Sequence, residues 1–102
     1  MRLTSAALDA MVAEAIVDAC DEYEQLAALQ AVIEDRLALP FDTVVLGVTV
    51  TVIAVQLRSG SGIVALCGRG RHRQAIGLLD LPVPECAPEG WAWVEAYRRW
   101  AS

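Results

Sequence analysis

At 102 residues and 56% apolar content, the chain can bury one core and not two. Its net charge of −5 is unevenly placed: through Asp42 nine carboxylates stand against Arg2 and Arg36, whereas the remainder carries four acids and six arginines. The acidic half disfavours adhesion to nucleic acid or anionic lipid and favours a cation or a basic partner, and the absence of Lys excludes lysine-based catalysis.

Residues 1–39 contain neither Gly nor Pro. Leu8, Val12, Ile16, Ala19, Tyr23, Leu26, Leu29, Ile33 and Leu37 recur at steps of three and four, which predicts an amphipathic helical arm. Thr4 or Ser5 supplies an N-cap, and Pro40, acting through Leu39, ends the arm. The pattern allows one helix or two. Asp18, Asp21, Glu22 and Glu24 repel one another, and Asp21 is a candidate cap for a second helix.

Beyond Pro40 the period changes. Thr43 to Leu46 and Val48 to Leu57 are rich in β-branched residues and read as strands, with a turn or bulge at Gly47. Residues 58–62 form a Gly/Ser connector, Ile63 to Cys67 a third strand, Gly68 to His72 a tight basic turn, and Arg73 to Leu79 a fourth strand. Short strands at this spacing predict a small barrel over residues 41–84. Pro82, Pro84 and Pro88 interrupt regular structure until a last helix over residues 89–101. On it Trp93, Tyr97 and Trp100 share one face and read as core, while Trp91 lies elsewhere. The fold class is therefore α+β in a single domain, residues 1–102.

Cys20, Cys67 and Cys86 are odd in number and widely spaced, which fits reduced thiols better than a disulfide framework or a zinc site. Acidic residues interrupt the first apolar stretch, so no secretory signal is read there. The run Val44 to Val55 is too short to cross a bilayer. A cytoplasmic protein without membrane association is the expectation.

Two clusters offer chemistry. Glu34, Asp35 and Asp42 place three hard oxygen donors in a short span, and Asp80 and Glu85 approach from the far end of the strands. Such oxygens suit calcium, although no EF-hand loop is present and a solvated helix end relieved by Arg36 explains the same residues. Arg69, Arg71, His72 and Arg73, interleaved with Gly68 and Gly70, suit a phosphate or an acidic partner, or else form an exposed hairpin tip. His72 and Cys67 read as a turn histidine and a buried strand cysteine, not as a catalytic pair. Trp91 joins the arginines as a candidate partner-binding residue, since large aromatics anchor interfaces. Nucleic acid is disfavoured because no basic stripe with stacking aromatics accompanies the arginines. An amphipathic arm on so small a domain also leaves apolar surface for a homo-oligomer.

The arm ending Ile33-Glu34-Asp35-Arg36-Leu37-Ala38-Leu39-Pro40-Phe41, the strand Val48 to Ile53, the strand pair around Gly68 to Leu81 and the closing helix ending Tyr97-Arg98-Arg99-Trp100 resemble small bacterial calcium-binding proteins of the cyanobacterial calcium-sequestering type. The likeness spans residues 16–100. It implies a helix packed on an SH3-like barrel, calcium held by surface carboxylates, and no enzymatic step. Those relatives carry an acid-rich loop where this chain has Arg58-Ser59-Gly60-Ser61-Gly62, so the resemblance implies weakened calcium affinity. The expectation is a calcium-binding or calcium-buffering protein; the alternative is a metal-free SH3-like module that binds a protein partner.

Overall fold

A computed structural model describes residues 3–102; Met1 and Arg2, the start of the predicted arm, lie outside the described residues. The arm is two helices, α1 (Ser5–Ala15) and α2 (Glu22–Arg36). The Thr4 hydroxyl caps α1 by accepting from Ala7 N at 3.1 Å, and the Asp21 carboxylate caps α2 by accepting from Glu24 N at 2.8 Å. The break has an electrostatic reason. In one continuous helix Asp18, Asp21, Glu22 and Glu24 would face each other at three- and four-residue spacing; the interruption puts Asp21, Glu22 and Glu24 at the positive pole of α2 instead. It also resets the helical phase, so Tyr23, read as part of the apolar stripe, is 67% exposed.

Four strands follow: β1 (Phe41–Val45), β2 (Val48–Arg58), β3 (Gly62–Arg69) and β4 (His72–Gly77). They form an antiparallel meander in chain order, with β1 and β4 as free edges. The expected barrel is thus an open sheet. The curvature available to it is local: the register slips between Val52 and Ala54, where Ile53 is the extra residue of a bulge. Gly47 is part of the β1–β2 turn, as one of its two readings had it, and the bulge at Ile53 lets Val52 and Val55, three apart, face the same side.

That side is the core. Val52, Val55, Ile63, Ala65 and Cys67 pack under Leu29 and Ile33 of α2 and under Val94 and Tyr97 of α3 (Trp91–Ala101). Leu29, Ile33 and Val94 are fully buried, each contributing about 2 kcal/mol through the apolar area withdrawn from water. A 3₁₀ turn, Leu78–Asp80, seals one corner with Leu78 and Leu81, and Arg98 clamps it by donating to the carbonyls of Leu78, Leu79 and Leu81. The start of α3 is pinned against the end of α2. Gly90, at φ +87°, packs on the Arg36 carbonyl, and Phe41 meets Trp91 edge-on at 6.0 Å. No helix among the described residues is long and apolar enough to cross a membrane.

The connections set the ends of the sheet. Because the strands alternate in direction, the β1–β2 and β3–β4 turns lie at one end and the β2–β3 turn at the other. At the β2–β3 end the Tyr97 hydroxyl lies against Gly62, and Trp100 Nε1 donates to Gln25 Oε1 at 3.0 Å, which places the first turns of α2 there.

Candidate functional site

The carboxylates read as calcium ligands are distributed over different faces. Asp35 pairs with its neighbour Arg36 at 3.3 Å and lines a cleft with Glu14 and Trp93. Glu34 accepts from Gln30 Nε2 at 2.8 Å, and the same amide group reaches the Val55 carbonyl, so Glu34 is engaged where α2 crosses β2. Asp42, on the sheet face away from the helices, accepts from Thr51 at 2.7 Å. Asp80 lies in the 3₁₀ turn beside Gly77. Among the described residues no group of three or more His, Cys, Asp or Glu side chains converges as a metal would require. The nearest approach to the expected arrangement is a groove of about 380 Å³ that Asp42 and Glu85 both line, with Val44, Thr49 and Cys86.

Trp91 departs from its expected place on the surface. It is 6% exposed, belongs to the core, and donates its indole N–H to Glu95 at 2.9 Å. The i to i+4 spacing makes that bond, and Leu3 and Leu8 from the α1 side, with Val83 and Pro88 from the segment before α3, line a cleft of about 630 Å³ beside it. Phe41, edge-on to the ring at 6.0 Å, helps to bury this large side chain at the first position of α3.

Cys67 and His72 do not form a pair. Cys67 is buried on the core side, its thiol directed at the Ala65 carbonyl 3.7 Å away, and burial pushes its pKa up; His72 is exposed at the start of β4. A thiol held neutral in an apolar layer is a poor nucleophile.

The arginines, in contrast, meet something. Arg69 Nη1 donates to the Thr49 carbonyl at 3.0 Å, tying the β3–β4 turn to the strand that leaves the β1–β2 turn. Arg73 folds back over its own turn, donating to the Gly70 and His72 carbonyls at 3.0 Å each. Its guanidinium and the Ile53 side chain occupy the space that a Cβ at Gly68 would fill. The ion pairs among the described residues are Asp35–Arg36 and Asp9–Arg99, so Arg69, Arg71 and Arg73 have no carboxylate partner there.

Beside these arginines stands a residue that sequence reading passes over. Leu46 is 98% exposed at the tip of the β1–β2 turn with φ +51°, followed by Gly47 at φ +77°. A two-residue hairpin turn with both φ positive prefers Asn-Gly or Asp-Gly, because a branched side chain in left-handed backbone is strained. Val44 and Val48 flank it, 53% and 41% exposed. The legible signal was a Leu-Gly pair where two Val-rich strands need a turn. The end of the sheet therefore combines three guanidinium groups that have no carboxylate partner among the described residues with an apolar tip.

Comparison of the chain with protein-family models, with curated proteins and with solved structures finds no match. The resemblance read over residues 16–100 gains no support from them.

Proposed function

We propose that the protein is a non-enzymatic, metal-free interaction module that binds an acidic protein segment at the end of its sheet, through Leu46 and the arginines of the β3–β4 turn. The observation that carries this reading is Leu46: a fully exposed leucine held in left-handed backbone costs about 1–2 kcal/mol, a cost that burying its side chain in a partner offsets. Val44 and Val48 extend the apolar contact. Arg69 and Arg71 supply directional donors for carboxylates, and the bonds from Arg69 to Thr49 and from Arg73 to its own turn hold them in place before binding. The test is selection of displayed peptides on the parent protein. Acidic peptides with an apolar residue are expected, and their binding is expected to fall at least tenfold in Leu46→Asn and in Arg71→Glu. Peptides that bind both variants as well as the parent would discard the surface.

Calcium binding is the second reading. It draws support from the Glu34 to Phe41 string and from the groove shared by Asp42 and Glu85, which would leave most of a six- to eight-oxygen shell to water and backbone carbonyls. Calorimetric titration of calcium into chelator-treated protein decides it. Millimolar or weaker binding that disappears in Asp42→Ala supports it, and the absence of both heat and thermal shift discards it.

A further inference from the structure

We propose that the partner is a second copy of this chain: the Leu46–Arg71 end of one protomer seats on the acidic α1–α2 junction of the next, head to tail. This rests on the surface assigned above and adds its occupant. Charge is segregated along the chain to an unusual degree. From residue 3 to residue 35 there are eight carboxylates and no arginine; from residue 43 to residue 79 there are Arg58, Arg69, Arg71 and Arg73 and no carboxylate.

Folding carries that segregation into space. The basic β3–β4 turn, with Arg69, Arg71 and Arg73, lies at one end of the sheet, whereas Asp21, Glu22 and Glu24 open α2 at the other, where Trp100 holds Gln25, Tyr97 meets Gly62 and Arg58 is the one arginine of the strands. The eleven residues of β2 separate the two ends by about 33 Å. Neither end neutralises the other within one molecule, since no ion pair of the described residues joins them.

The acidic end also has its own apolar contacts. Val17 is 76% exposed and Tyr23 67% exposed, set among Asp18, Asp21, Glu22 and Glu24. One patch is thus apolar with carboxylates, the other apolar with guanidinium groups. Two such surfaces match each other in both respects and neither matches itself. Like-on-like contact would place arginine on arginine, so unlike patches pair; because the two patches face opposite ends of the sheet the pairing runs head to tail, and the assembly as a whole keeps one open patch at each of its two ends. Asp42 and Glu85, which line the groove behind Val44, direct the acidic segment toward the Arg69–Arg71 side. The patches are small, so association is weak and strongly screened by salt.

The experiment uses two blocked variants of the full chain, one with Leu46→Asn and Arg71→Glu, the other with Tyr23→Ser and Glu22→Arg. All four positions are exposed, and circular dichroism checks that each variant keeps the parent fold. In sedimentation and light scattering from micromolar to millimolar protein, the parent is expected to gain mass with concentration and to lose that gain in high salt. Each variant alone is expected to remain monomeric. Their equimolar mixture is expected to reach twice the monomer mass and stop, because only one intact patch of each kind remains. A parent that stays monomeric at millimolar concentration, or growth that survives in either variant, overturns the proposal. A monomeric parent whose selected peptides still depend on Leu46 overturns self-association alone and leaves the surface standing.

Discussion

Arg69 and Thr49 are joined by a guanidinium-to-carbonyl hydrogen bond of 3.0 Å, and through it two turns that are separate in the chain become one end of the sheet. The bond runs between adjacent strands beyond the last regular pair, Thr51 with Gly68, where the ladder itself no longer holds them.

Arg69→Ala should therefore loosen that end with little effect elsewhere. The expected loss is about 0.5–1 kcal/mol, since an exposed bond exchanges with water. Hydrogen exchange is expected to quicken at the amides of residues 46–49, with the core strands unchanged. Uniform quickening across the sheet would mean that Arg69 supports global stability instead.

Leu46→Asn should stabilise the protein while removing binding. Asn tolerates left-handed backbone, so relief of strain is expected to add about 1 kcal/mol, or 4–8 °C in Tm for a domain of this size. A lower Tm would show that Leu46 packs within its own chain and has no strain to release.

Gly90→Ala should be among the most damaging single substitutions. The residue sits at φ +87°, and a Cβ there would collide with the Arg36 carbonyl and stand 2.9 Å from Leu37 Cα. The backbone of α2 cannot yield without moving Ile33 and Leu37 in the core. A loss of more than about 3 kcal/mol is expected in urea unfolding, from strain and displaced packing together.

Cys67 and Tyr97 give the stability a high-pH limit. Burial raises the pKa of both, with the Ile63 backbone acting in the opposite sense at Tyr97. An acid with a raised folded pKa is ionised first in the unfolded chain, so its contribution is complete below the ordinary thiol value of 9.0 and declines as pH rises beyond it. Unfolding monitored from pH 7 upward is expected to show that decline, reduced in Cys67→Ala. In the folded protein a thiol reagent should label the exposed Cys20 and Cys86 rapidly and Cys67 only on unfolding.

Much of the local structure was legible because short-range chemistry decides it. Thr4 and Asp21 cap helices with side-chain oxygens that reach amides three residues away, and Gly47, Gly60 and Gly70 mark turns that need positive φ. The helix beginning at Trp91 and the buried face of Tyr97 follow from spacing. The phase beyond the α1–α2 break was not legible, because a stripe read across an interruption continues on paper and rotates in space; Tyr23 is the residue that shows it.

Strand order by itself does not say whether a sheet closes. Closure depends on how far the strands coil, and here α2 and α3 cover one face while β1 and β4 remain edges. The candidate sites divide in the same way. Arg69, Arg71 and Arg73 lie on one short turn, so their neighbourhood was already given by the chain, whereas Glu34, Asp35, Asp42 and Asp80 depended on where four elements settled.

The order of helices and strands, their caps and turns, and the separation of acid from base were thus determined by the sequence alone, because each rests on residues within a few positions of one another. Which carboxylates share a groove, that Trp91 is covered, and that Leu46 stands beside the arginines at the pole opposite the acidic helix were decided only by tertiary structure. Those relations join residues tens of positions apart, and the packing of one core sets them with no local preference to announce it.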